Sequence, residues 1–253
     1  MRRALTLLPV LGALGFLVFS ELSLKREGEF FLWSLATVAW IFAVFAVLAA
    51  GRIRGRLLWI SIPAVAMIAL SVVTSLLFLD LVSPRRGFIV IFTLVLYLFF
   101  EHVRHEISHS SQDERITIAE FARMVNIGSL FLLVSAALGM TIFLPIPFWW
   151  TLIVLVPVCV LWSWHLYAAC YGAPRPVWQV VVSSVLTIET YLVALRLPTS
   201  MFVGGAVAAV VYYSASNVLR AGAEPLPPRL ARKYFIMAAV MAVAVLMTAR
   251  WVE

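Results

Sequence analysis

Apolar residues in this chain run in long blocks broken by short polar stretches. A bilayer core about 30 Å thick takes roughly 20 apolar residues per helical span. Blocks near that length fall at residues 4–22, 30–50, 57–82, 87–101, 125–144, 149–171, 176–196, 200–219 and 234–252. The fourth is the shortest and extends to about His105. The pattern predicts an all-α fold, a polytopic transmembrane helical bundle of about nine spans. Helices are the expected spanning form because they satisfy their backbone polar groups internally. The two-residue alternation of a membrane β-barrel is absent.

Proline punctuation agrees with these blocks. Pro84, Pro145, Pro147, Pro174, Pro176 and Pro198 fall between spans, while Pro9, Pro63 and Pro157 fall inside spans. Residues 102–124 read as a cytoplasmic loop with an interfacial helix. Ser111-Gln112-Asp113-Glu114 is a capping box, and Ile116, Ala119 and Arg123 follow at helical spacing. The helix is expected to bend or feed into the fifth span. Loops this short leave no room for a soluble domain, so residues 1–253 read as a single integral-membrane domain.

Composition strengthens the membrane reading: 64% of the 253 residues are apolar and 12% are charged. Thirteen of the nineteen Lys and Arg residues lie on one side if the N-terminus is cytoplasmic, which predicts N-inside, C-outside threading. The net charge of +7 is then a product of topology. Spread over many short loops, it does not form a nucleic-acid footprint. The first block, behind Arg2 and Arg3, reads as a retained span rather than a cleaved signal. Cys159 and Cys170 share one span and cannot bridge each other.

There is an internal echo. Leu81-x-x-Pro84-x-x-x-Phe88-Ile89 and Leu195-x-x-Pro198-x-x-x-Phe202-Val203 are 114 residues apart. That offset would carry spans one to four onto spans five to eight in one orientation, as in some transporters. The plainer reading is two ordinary membrane hairpin turns. Gly204, Gly205, Ala208 and Ala209 let a neighbouring helix come close. Gln179, Ser183, Thr187 and Thr190 form a polar stripe on span seven, read as interhelical hydrogen bonding. Trp149, Trp150, Trp178 and Trp251 read as interfacial belt residues.

Few residues offer chemistry. His105-Glu106-Ile107-Ser108-His109 matches H-E-x-x-H, in which two histidines one turn apart hold zinc and the glutamate is the general base. The match sits at a polar helix end and lacks an evident third ligand among Asp113, Glu120, His165 and Glu189. A solvated helix end is the plainer reading. Glu101, His102, His105 and His165 form a second grouping, with Glu101 and His105 spaced to pair. Glu189 is the carboxylate deep in an apolar block, so it should face the bundle, be protonated or meet a partner. Arg196, seven residues on, shares its face and reads as part of a structural glutamate–arginine pair.

The run Glu189-Thr190-Tyr191-Leu192-Val193-Ala194-Leu195-Arg196-Leu197-Pro198-Thr199-Ser200-Met201-Phe202-Val203-Gly204 resembles a segment of uncharacterised multi-pass membrane proteins of candidate-phyla bacteria. The resemblance covers residues 189–213. It implies a bacterial cytoplasmic (inner) membrane address and no activity, ligand or catalytic residue. The functional expectation is a non-enzymatic scaffold or small-solute transport component with an intramembrane Glu189 contact. Its partners would be the lipid bilayer and other membrane proteins or a second copy, with no nucleic acid and no cofactor. The alternative is a zinc-dependent membrane peptidase using His105, Glu106 and His109. A lipid-handling or envelope-assembly role has no distinguishing residue.

Overall fold

A computed structural model describes residues 2–25, 27–49, 56–78, 82–108, 114–144, 146–171, 176–197 and 200–220, with isolated helical positions at 232, 236, 239, 240, 243 and 247. The described residues are helical and contain no strand. Eight long helices run in order: α1 (Arg2–Lys25), α2 (Phe30–Ala49), α3 (Arg56–Phe78), α4 (Val82–Ser108), α5 (Glu114–Phe143), α6 (Phe148–Trp164), α7 (Val177–Ala194) and α8 (Met201–Arg220). A 3₁₀ turn, Glu27–Glu29, precedes α2, and a π-helical turn, His165–Cys170, continues α6. Seven of these stretches are long and apolar enough to cross a membrane; within α3 the corresponding apolar stretch is the shorter Trp59–Ser71. The expected ninth span, 234–252, lies almost wholly outside the described residues.

The helices begin and end where the sequence changes character. α6 and α7 start directly after Pro147 and Pro176. Proline suits such a boundary because its missing N–H has no partner in a first turn. Pro9, Pro63 and Pro157 lie within α1, α3 and α6. The stretch read as a loop over 102–124 is mostly helix: α4 continues through Ser108, and α5 starts at Glu114 and runs unbroken into its span. Ser111, the capping residue, is outside the described residues.

The chain divides into two compact units, Met1–Val125 and Asn126–Glu253, with the boundary inside α5. In unit 1, α1 packs on α2 and α4, and α3 packs on α2 and α4. Phe16, Ile41, Leu48, Leu96, Phe99 and Phe100 fill its interior. Arg86 reaches Glu21 at 3.8 Å, tying the end of α1 to the start of α4. In unit 2, α7 packs between α6 and α8. The Asn126–Phe143 part of α5 is joined to α6 and α8 by the polar contacts described below. Leu130, Leu138, Leu155, Tyr191, Ala208 and Tyr212 fill the unit.

The outward faces are as apolar as the interiors. Phe31, Leu32 and Leu35 on α2, and Ile153, Val154 and Leu161 on α6, are all exposed. In water, patches this large would drive association, whereas in hydrocarbon they are solvated. Trp149 and Trp150 stand exposed at one end of α6, and Trp164 and Trp178 at the other end of the α6–α7 pair. Trp150 and Trp164 are separated by about 21 Å along the helix. That is shorter than a core of about 30 Å, so Trp149 and Trp150 mark one edge while Trp164 falls within the apolar stretch Phe148–Cys170. Trp251 is outside the described residues.

Candidate functional site

Unit 2 holds a ring of buried polar contacts where α5, α6 and α8 meet. Asn126, with no exposed surface, donates from Nδ2 to the Trp162 carbonyl at 2.9 Å. The Trp162 indole donates to Ser129 Oγ at 2.8 Å, and the Ser129 hydroxyl donates back to the Asn126 carbonyl at 2.9 Å. The fully buried Tyr212 hydroxyl on α8 donates to Asn126 Oδ1 at 3.1 Å. Ser184 of α7 donates to Ser163 of α6 at 3.3 Å. Four helices are therefore held in register by groups that hydrocarbon could not solvate singly.

The π-helical turn lies beside this ring. It closes with the Tyr171 N–H donating to the Leu166 carbonyl at 3.0 Å, a five-residue step. A π turn brings residues five apart onto one side, and here His165 Nε2 and Cys170 Sγ lie 4.0 Å apart, both buried. Leu166 and Tyr167 are buried on the same turn. Arg220, ending α8, stacks its guanidinium over the Tyr171 ring at 4.8 Å. Cys159 and Cys170 are both buried and are not joined in a disulfide. A second polar knot joins α5, α6 and α7: the Tyr191 hydroxyl is 2.6 Å from Thr151 Oγ1 and 3.1 Å from Thr141 Oγ1.

The small residues of α8 explain how it approaches α5 so closely. A Cβ on Gly205 would meet Ser135 Oγ at 2.0 Å and the Phe131 carbonyl at 2.8 Å; one on Gly204 would meet Leu138 at 2.5 Å. The stripe on α7 behaves differently from the expectation. Ser183, Thr187 and Thr190 return their hydroxyl protons to the Gln179, Ser183 and Leu186 carbonyls of their own helix. Such local bonding satisfies a hydroxyl within four residues, while Ser183 also meets the Tyr167 hydroxyl of the π turn. Ser184 and Tyr191 add further interhelical contacts from α7.

No family model, no curated protein and no solved structure matches the chain.

The grouping of Glu101, His102, His105 and His165 divides between the units. In unit 1, Glu101 takes both Arg104 Nε at 2.9 Å and Arg104 Nη2 on its two carboxylate oxygens, a forked pair within one helix. His102 meets the Leu98 carbonyl at 2.7 Å and stacks on Phe121 at 5.4 Å. Arg104 at i+3 supplies a planar fork that matches the carboxylate, and His105 adds its influence on the same group. His105 is exposed; Glu106 is helical, with its side chain outside the description, as is His109 entirely. Glu120, a candidate third zinc ligand, is exposed, and Asp113 is not described. Among the described residues, no three His, Cys, Asp or Glu side chains come together as a metal-holding group.

Glu189 is brought to an unexpected place. Its neighbours Thr187 and Tyr191 are buried, whereas Glu189 is exposed on the outer face of α7. The helical period explains the reversal: Val181, Val182, Val185, Glu189, Leu192, Val193 and Arg196 fall on one stripe, and all are exposed. Among the described residues, no ion pair joins Glu189 or Arg196 to anything, including each other. Seven residues of helix set them about 10 Å apart.

Proposed function

We propose that this chain is a multi-pass protein of the bacterial cytoplasmic membrane that serves as a non-enzymatic assembly component, a scaffold that engages another membrane protein through the outer face of α7. The membrane address draws on the seven apolar helices, the exposed apolar faces and the resemblance around residues 189–213. The threading, N-inside and C-outside, draws on the distribution of Lys and Arg.

The carrying observation is Glu189. It stands about 18 Å from the first residue of α7 and about 8 Å from the last, within an otherwise apolar stripe. An ionisable group at that depth is expensive against lipid and ordinarily faces protein or water. The Asn126–Ser129–Trp162–Tyr212 ring and the Tyr191 contacts brace the helices of unit 2 against one another, which suits a rigid support; Gln179 Oε1 is buried outside that network. The intramembrane Glu189 contact is thus intermolecular.

A photo-crosslinking residue at Val185, one turn before Glu189, tests the reading in native membranes. A scaffold gives one discrete adduct heavier than the chain, absent when the same residue is placed at Val154 on α6. Lipid-only adducts at both positions would contradict it.

A further inference from the structure

Resting on the assembly reading, we propose the chemistry of the partner: a transmembrane helix of a different protein that presents a basic side chain level with Glu189. The charge pattern of this face weighs against bare lipid and a second copy, and the experiment below separates a foreign helix from this chain's own C-terminal segment. Bare lipid leaves a carboxylate in hydrocarbon beside Val185, Leu192 and Val193, all exposed. A second copy of this chain shares its orientation in the membrane. Pairing the two α7 helices about an axis along the membrane normal sets Glu189 against Glu189 and Arg196 against Arg196. Like charges at that distance repel strongly in a medium of low dielectric constant.

A foreign helix with the opposite pattern removes both penalties. Its cation meets Glu189, and a carboxylate about seven residues away meets Arg196, matching the two-turn separation on α7. The rest of the stripe suits a packed helix. Val181, Val182, Val185, Leu192 and Val193 present short, stiff side chains with little rotamer freedom to lose on docking. The docking face is therefore apolar in area and specific in charge, so the charges choose the partner.

The test uses the full-length protein in liposomes and synthetic Leu/Ala helices of about 21 residues, followed by energy transfer between labelled chain and labelled helix. One probe carries a central lysine, one a central glutamate and one no charge. The lysine helix should associate at least about tenfold more tightly than the uncharged helix, a gap of about 1.4 kcal/mol. Glu189→Gln should abolish that preference, and Glu189→Lys should transfer it to the glutamate helix. Because Glu189 is exposed, these variants leave the packing of α7 intact, which unchanged elution and thermal midpoint would verify.

Equal binding of the lysine and uncharged helices, or a preference that survives Glu189→Gln, overturns the proposal. Self-association of the chain that Glu189→Gln removes overturns it in favour of a second copy. A disulfide formed between Glu189→Cys and Met247→Cys overturns it in favour of this chain's own C-terminal segment. A discrete Val185 adduct that ignores charge at position 189 would leave the scaffold standing and the basic partner refuted.

Discussion

In unit 1 the first helix meets its neighbours at Gly12 and Gly15. Trp40 of α2 donates its indole N–H to the Gly12 carbonyl at 3.2 Å, and its ring lies over Gly15 so closely that a Cβ there would stand 2.2 Å away. Phe100 of α4 and Val44 of α2 close over Gly12, where a Cβ would meet them at 2.8 and 2.9 Å. In unit 2 the residues 114 positions further on are Asn126 and Ser129. There the second helix again supplies a tryptophan, Trp162, and the fourth supplies Tyr212. Both junctions thus draw on the first, second and fourth helices and on a tryptophan of the second, at different positions along it, but one is closed by shape and the other by hydrogen bonds.

The difference teaches that the polar ring is not demanded by the four-helix plan. Unit 1 reaches the same arrangement by removing side chains, and its buried Ser23, Thr37 and Ser71 bond to their own backbones. Unit 2 reaches it by adding polar groups that answer one another across helices.

The sharpest way to break the comparison is to close the space that glycine leaves. Gly205→Val should cost about 3 kcal/mol or more, because a backbone carbonyl at 2.8 Å cannot move aside. Gly12→Ala in unit 1 should cost about 1 kcal/mol, since side-chain ends there can shift. Both are read by detergent-to-SDS unfolding, and equal losses would erase the distinction between the junctions. Asn126→Leu comes next, at about 2 kcal/mol in the same assay. It removes the amide's bonds to the Tyr212 hydroxyl and the Trp162 carbonyl together, each bond in a membrane averaging about 0.6 kcal/mol; the carbonyl keeps the His165 N–H. Tyr191→Phe, which deletes the contacts to Thr141 and Thr151, should cost about 1 kcal/mol. Arg104→Ala should cost less than about 0.5 kcal/mol, because its pair with Glu101 is partly exposed and lies within one helix. A larger loss there would show that unit 1 also depends on polar contacts.

Much of the fold was legible in the sequence for a simple reason. Burial in hydrocarbon demands length and apolarity, and both are local properties. The blocks at 30–50, 176–196 and 200–219 became α2, α7 and α8 within a few residues. Side-chain direction was harder, because apolar residues surround these helices on every side. Nothing near Glu189 marks which face of α7 points outward, so depth suggested an interior contact and the helical period placed it outside. The forked Glu101–Arg104 pair was overlooked beside three histidines, though its i,i+3 spacing was visible. The π turn has no mark in His165-Leu166-Tyr167-Ala168-Ala169-Cys170, and it arises from packing around that segment. Asn126 was readable: it is a lone amide in an apolar run, three residues from Ser129.

The central claim is that both units turn apolar outer faces to lipid, with Glu189 the charged exception within a span, while their hydrogen-bonded polar side chains point inward. Spin labels at Leu35 on α2 and Val154 on α6, in the full-length protein reconstituted in liposomes, test it directly through collision rates with oxygen and with a water-soluble nickel chelate. Oxygen should dominate at both positions, as it does in hydrocarbon. Nickel dominance at either one would place that face in water and contradict the account.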